Sequence, residues 1–288
     1  MTPQQQLKQL LARAGVIKAP GVFDGLSARL VQSQGFELAF VSGAGIAFSR
    51  FGVADIGLVS MSEVAATISA IREYNDIPLA VDIDTGFGNA VNTQRTVKVL
   101  EQAGATAMQM EDQLMPKRCG HMKGKQVVPA AEMVGKIHAF VDARTNDNTL
   151  LIARTDALGV NGFDDAMERA RRYVDAGADL LFIEAPKTVE QMQIIGKEFG
   201  DKIPLVHNLV EGGNSPITNS DDMAALNYKI ALFPVALLHS FIPKAQDILK
   251  HIEKTGNTNT YEQPLWNLNQ TNALLKAQDY LDKAEKYK

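Results

Sequence analysis

The single cysteine of this 288-residue chain stands in Lys117-Arg118-Cys119-Gly120-His121, behind two cations and two residues before a histidine. Cationic neighbours favour the thiolate and make a thiol reactive. The plainer alternative is an ordinary loop thiol beside a solvated basic face. The adjoining glycine weighs against it, because glycine lets backbone approach a ligand and lets a segment move. A second constellation is Val81-Asp82-Ile83-Asp84-Thr85-Gly86-Phe87-Gly88. Two carboxylates two positions apart on a strand point to one side, and they repel unless a cation lies between them. Such hard oxygen donors select Mg2+ or Mn2+, and Glu111 can extend the set. Helix capping or ion pairing is the other reading of these acids.

Both constellations need a frame that gathers distant segments. Eight short apolar runs provide one, at 16–20, 37–41, 78–84, 106–112, 150–156, 179–185, 204–208 and 229–234. They lack strict alternation, as parallel strands covered on both faces do. Helical patterns lie between them; in 164–176, Ala166, Ala170, Tyr173 and Val174 share a face. Ala103-Gly104-Ala105 and Ala176-Gly177-Ala178 each precede a strand, with Gly35 similarly placed, and glycine there ends a helix. The alternation predicts an α/β fold, a (β/α)8 TIM barrel. No GxGxxG follows the first strand, which argues against a dinucleotide-binding sheet.

A barrel of this kind carries its site at the carboxyl ends of its strands. The polar residues there are Ser42 and Gly43, Asp82 and Asp84, Glu111 and Asp112, Arg154 and Asp156, Glu184, and Asn208 with Glu211. The predicted organisation is a catalytic barrel over 1–253, with a Lys-, Gly- and Pro-rich gating loop at 113–129. A polar linker and an extra C-terminal helix follow over 254–288. Leu274, Ala277, Leu281 and Ala284 form a stripe that must be buried on a second subunit or on the chain's own barrel.

With 33 acidic and 29 basic residues the net charge is −4, so no basic surface supports nucleic-acid binding. No apolar run reaches the roughly 18 residues of a membrane span, and the N-terminus lacks the pattern of a secretory signal. One cysteine allows no intrachain disulfide, which fits a cytoplasmic protein. His138 and His251 fall on helical patterns, and His207 inside a strand reads as structural.

The chain resembles the isocitrate lyase / phosphoenolpyruvate mutase superfamily over nearly its whole length. The most specific part is Met110-Glu111-Asp112-Gln113, then Pro116-Lys117-Arg118-Cys119-Gly120-His121 and Val128-Pro129. Ser42-Gly43-Ala44, the Asp82–Gly88 segment, Ala153-Arg154-Thr155-Asp156 and Asn208-x-x-Glu211-Gly212-Gly213-x-Ser215-Pro216 support it. The resemblance implies Mg2+ bound directly by Asp82, with Asp84, Glu111 and Asp55 acting largely through water. It implies that Ser42, Gly43, Ala44 and Arg154 hold a 2-oxo acid end. Gly120, His121, Glu184, Asn208 and Ser215 would hold a second carboxylate. Cys119 becomes the general acid of a carbon–carbon lyase, assisted by Lys117, and Glu111 or Asp55 the candidate hydroxyl base. A C-terminal helix exchanged between subunits, usually in a dimer of dimers, is also implied.

Within that resemblance, His239 aligns where methylisocitrate lyases carry an arginine for a third carboxylate, and Glu211-Gly212-Gly213 is similar to the 2,3-dimethylmalate lyase branch. The expected substrate is therefore an alkylmalate-type 2-hydroxy dicarboxylic acid. The alternatives are 2-methylisocitrate, cleaved to pyruvate and succinate, and hydrolysis or decarboxylation of oxaloacetate. A binding barrel without catalysis is the reading from a different class; it has no reason to assemble Asp82, Asp84 and Glu111 around a metal.

Overall fold

Every expected strand forms. In the computed structural model, which describes residues 1–120 and 124–288, they are β1 Ile17–Val22, β2 Ala39–Val41, β3 Leu79–Asp82, β4 Ala107–Glu111, β5 Leu150–Thr155, β6 Leu180–Ile183, β7 Val206–Asn208 and β8 Ile230–Phe233. All pairings are parallel, in the order β6-β5-β4-β3-β2-β1-β8-β7. A parallel bridge between Leu181 and Leu205 joins β6 to the approach of β7, so the sheet nearly closes on itself. This is a TIM barrel ringed by helices. Seven strands lie inside the expected segments, and β1 runs two residues further, to Val22.

Two cores explain the unbroken apolar runs. Alternate strand residues fill the barrel interior, among them Phe40, Ala80, Ile152, Phe182, Val206 and Leu232. Leu7 and Leu10 of the N-terminal helix Pro3–Ala12 pack into the same cluster. The intervening residues, such as Val41, Val81, Met108, Leu151 and Leu181, pack outward under the helices. Side chains alternate with period two along a strand. The next inward position beyond Phe40, Ala80, Ile152, Phe182 and Val206 is therefore Ser42, Asp82, Arg154, Glu184 and Asn208. The site residues continue the interior stack above its apolar layers.

The helix expected at 164–176 spans Phe163–Asp175 and buries Ala166, Ala170 and Tyr173. Helix Ala90–Ala103 ends at Gly104 with φ 110°, a left-handed cap that turns the chain into β4. The C-terminal region departs from the single helix expected. Helix Ala236–Thr255 passes the expected boundary at 253, and two short helices follow, Leu268–Leu274 and Ala277–Lys286. Lys276, left-handed at φ 54°, breaks the stripe between Leu274 and Ala277. The last helix lies against its own barrel, with Tyr280 edge-on to Tyr74 at 5.9 Å. No helix among the described residues is long and apolar enough to cross a membrane.

Candidate active site

A cavity of about 210 Å³ opens at the carboxyl end of the barrel. It is smaller than the roughly 300 Å³ at which pockets for drug-sized ligands begin, a size for a small organic acid. Ser42, Ala44, Asp55, Asp82, Glu111, Lys117, Cys119, Gly120, Arg154 and Asn208, all expected site residues, line it.

Ser42 caps the short helix Gly43–Ile46, its hydroxyl accepting from Gly45 N–H at 3.0 Å. The N–H groups of Gly43 and Ala44 sit in the first turn, where helix geometry gives them no internal acceptor. A Cβ on Gly43 would stand 3.1 Å from Asp82 Oδ2 and 3.7 Å from Asp84 Oδ1, so that turn lies directly on the two acids. Asp84 is not on the strand, as expected from its spacing. β3 stops at Asp82, and Asp84 follows in the left-handed region at φ 47°. Asp84 N–H donates to Asp82 Oδ1 at 3.1 Å, and Glu111 N–H to Asp84 O at 2.8 Å. The turn thus brings the second carboxylate back toward the first. The buried Lys136 ammonium supports it from behind, donating to Thr85 O at 3.2 Å.

Lys117 enters this acid group from the loop, with Nζ 2.5 Å from Asp55 and 2.8 Å from Asp84. Burial alone would lower the Lys117 pKa, but Asp84, Asp82, Glu111 and Asp55 outweigh it and hold the ammonium protonated. Burial raises the acids in turn: Asp82 upward, Asp84 to about 7, and Glu111 well above the usual carboxylate range. Glu111 Oε2 is 3.4 Å from Arg154 Nε, and among the described residues the buried Oε1 has no hydrogen-bond partner.

Among the described residues no three His, Cys, Asp or Glu side chains converge tightly enough to enclose an ion. The donor chemistry nevertheless fits a hard divalent cation. Four carboxylates face two cations, all donors are oxygen, burial destabilises Asp82, Asp84 and Glu111 as anions, and among the described residues Glu111 Oε1 is an orphaned buried acceptor.

Arg154 is held from two sides. Asp156 accepts from its Nε at 2.9 Å and its Nη2 at 3.2 Å, and Glu184 lies 3.7 Å from Nη2. Asn208 Nδ2 donates to Glu184 at 3.3 Å. Gly120 packs onto this pair; a Cβ there would lie 2.4 Å from Arg154 Nη2 and 2.7 Å from Glu184 Oε1. Cys119, beside it, is half-buried, and its N–H donates to Asp55 O at 3.2 Å. Ser215 is not brought to the cavity. Its hydroxyl bonds His207 Nε2 at 2.8 Å and donates to Ile217 O at 2.7 Å, and it lines a neighbouring depression. The expected role of His121 falls outside the described residues.

Other contributors support the cavity from behind, and of these Lys125 lacked a signal in the sequence. Gln113 clasps Arg118, accepting from its N–H and donating to its carbonyl, each at 2.9 Å. Asp112 is fully buried and accepts from Thr155 Oγ1 (2.8 Å), Asp156 N–H (2.9 Å), Tyr173 Oη (2.7 Å) and Arg169 Nη1 (3.2 Å). Lys125 reaches Asp156 at 2.8 Å and Gly120 O at 2.5 Å. In the sequence it is one of several loop lysines. Phe48, Val210 and Val235 give the cavity an apolar wall, and His239 at its rim lies 3.0 Å from Glu211.

The model of the phosphoenolpyruvate phosphomutase family matches residues 7–253. The 2,3-dimethylmalate lyase of Eubacterium barkeri is 42% identical over 241 residues, 83% of this chain and 82% of that protein. The 2-methylisocitrate lyase of Aeropyrum pernix is 39% identical over 278 residues, 96% and 89% of the two chains. Among solved structures, a 2,3-dimethylmalate lyase described as a PEP mutase/isocitrate lyase superfamily member superposes with TM-score 0.93 at 29% identity, covering 100% of this chain and 96% of that one. An oxaloacetate acetylhydrolase superposes with TM-score 0.93 at 30% identity, covering 99% and 97%.

Proposed function

Because the chain belongs to the phosphoenolpyruvate mutase/isocitrate lyase superfamily, whose relatives here include named carbon–carbon lyases, we propose that it cleaves an alkylmalate such as 2,3-dimethylmalate to a 2-oxo acid and a carboxylic acid. The observation that carries this reading is the meeting of Cys119 with Asp82, Glu111 and Arg154 around one small cavity.

Arg154 and the first-turn amides of Gly43 and Ala44 bind the carboxylate that becomes the 2-oxo acid end. Asn208 and the Gly120 backbone face the second carboxylate. Glu111 takes the 2-hydroxyl proton as a carboxylate, the form favoured by the Arg154 guanidinium 3.4 Å away, and among the described residues its Oε1 has no hydrogen-bond partner. The C2–C3 bond breaks, C2 becomes a ketone, and the electron pair passes into the departing carboxylate as its aci form. Cys119 returns a proton to that C3, so proton and charge balance. Lys117, held as an ammonium, stabilises negative charge on oxygen. A divalent cation bound by Asp82, with Asp84, Glu111 and Asp55 through water, would add further stabilisation of that charge.

The rim supports a dialkyl substrate over a tricarboxylate. Phe48, Val210 and Val235 suit alkyl groups, and the Glu211 carboxylate beside His239 repels a third anion. The test is release of 2-oxo acid, with Mg2+, from 2,3-dimethylmalate, 2-methylisocitrate, isocitrate and oxaloacetate, for wild type beside Cys119→Ser. Cysteine-dependent cleavage of dimethylmalate supports the proposal. Preferred turnover of 2-methylisocitrate, or activity on oxaloacetate alone that ignores the cysteine, overturns it.

A second copy of this chain is the proposed partner of the C-terminal region. Helix Ala236–Thr255 buries Leu238 alone and leaves Phe241 and Leu249 more than half exposed, as are Trp266 and Leu281 beyond it. Exposed apolar area on that scale marks an association surface. A dimer of dimers in the cytoplasm is the assembly proposed.

A further inference from the structure

We propose that Lys125 is a positioning residue: a buried cation that latches the Cys119 loop shut by bridging the loop backbone to the anion that holds Arg154. The sequence marks Lys117 by its place near Cys119 but gives Lys125 no such prominence. In the structure its side chain is 7% exposed, though it lies on a surface loop. Nζ donates to Gly120 O, inside the loop, and to Asp156 Oδ1, at the end of β5. Asp156 is fully buried and binds Arg154 through both oxygens. Gly120 in turn rests on the guanidinium with no room for a Cβ. A closed ring of contacts results: Lys125 to Gly120, Gly120 on Arg154, Arg154 to Asp156, Asp156 to Lys125.

The ring has a physical consequence. A hydrogen bond from an ammonium to a buried carboxylate is about twice as strong as a neutral one. Lys117 pins the stretch before Cys119 to Asp55 and Asp84, and Lys125 pins the stretch after it. The two ties lie on opposite sides of the thiol and end on segments that follow different strands, Asp55 and Asp84 for one and Asp156 for the other. Without Lys125 the ties at Lys117, Arg118 and Cys119 remain, but the Gly120 carbonyl loses its charged partner and Gly120 can lift off Arg154, uncovering the thiol beside it. Because Asp156 is shared, the position of Arg154 and the closure of the loop depend on each other.

This inference rests on the proposed function only in taking Cys119 as the proton donor. Its test uses no substrate. Cys119 is the sole cysteine, so iodoacetamide reports its accessibility directly, by mass spectrometry against time. Lys125→Met should accelerate alkylation by about tenfold or more, the population shift expected when a charge-assisted bond is lost. Removing a nearby cation would by itself raise the thiol pKa and slow alkylation, so acceleration reads opening and not electrostatics. Lys125→Arg should restore most of the protection. In a lyase assay the same Lys125→Met protein should lose kcat while its circular dichroism stays unchanged. Alkylation at the wild-type rate in Lys125→Met overturns the latch, as does equal acceleration in the arginine variant. Lys125→Gln guards against a variant that fails to fold. Loss of fold in both uncharged variants also overturns it, since a loop latch is not needed to build the barrel. Accelerated alkylation without cleavage of any alkylmalate would keep the latch and remove the proposed reaction.

Discussion

Tyr173→Phe removes one oxygen atom from the network that joins the ends of β4 and β5. Tyr173 Oη donates to Asp112 Oδ2 at 2.7 Å, in the fully buried interior between helix Phe163–Asp175 and the barrel. A hydrogen bond to a charged group contributes about 1.5–3 kcal/mol. Asp112 keeps Thr155, Asp156 N–H and Arg169 as donors, so the loss belongs near the lower part of that range, about 2 kcal/mol. The ring stays, so no large cavity opens. For a chain of this size each kcal/mol moves the thermal midpoint by about 2–4 °C, which gives a drop of about 4–8 °C. Differential scanning calorimetry at fixed scan rate measures it. Tyr261→Phe is the control: its hydroxyl donates to Asp247 at 2.6 Å, but on the surface, and the midpoint should stay in place. Activity of Tyr173→Phe should also fall. Asp112 N–H donates to Arg154 O, Val128 N–H donates to Asp112 O, and Arg169 donates to Val128 O, so the network sets the strand ends that carry Glu111 and Arg154 and the exit of the loop. A shift under about 1 °C would refute the claim that this buried bond stabilises the site.

Gly120→Ala places a methyl group against Arg154 and Glu184; kcat should fall at least about tenfold with the fold intact, and steady-state kinetics beside circular dichroism would check it. The Asp84 carboxyl, pushed up to about 7 mainly by burial, with Lys117 opposing and Asp82 and Asp55 reinforcing, binds its proton more tightly folded than unfolded, where aspartate titrates near 3.9. Stability of metal-free protein should therefore fall as pH rises from about 4 to about 7, and Mg2+ should shrink the dependence. A thermal midpoint that climbs across that window in a chelator would contradict it. His239→Arg combined with Glu211→Gln replaces the rim pair by a permanent cation. The kcat/KM ratio of 2-methylisocitrate to 2,3-dimethylmalate should rise about tenfold or more, and an unchanged ratio would show that the rim does not select.

Local periodicity made the barrel and most of its inward-facing site legible. Strand parity is a short-range property: once Phe40, Ala80, Ile152 and Phe182 fill the interior, the residue two positions on must face the carboxyl end of that interior, and its polar type makes it a candidate for the site. Ser42, Asp82, Arg154 and Glu184 were readable in this way, and the glycine before β4 marked a helix end because only one backbone conformation fits there. What the tertiary structure decided lies where the chain leaves the strands. Asp84 passed the strand end and returned through a left-handed turn. Lys117, marked by its place near Cys119, and Lys125, unmarked, separated into partners of different acids, Asp55 and Asp84 for one and Asp156 for the other. Ser215 turned to His207, and the C-terminal stripe broke at Lys276. Loop side chains follow no repeat. They settle by charge and space across segments tens of residues apart, and those distances exist only once the barrel has closed.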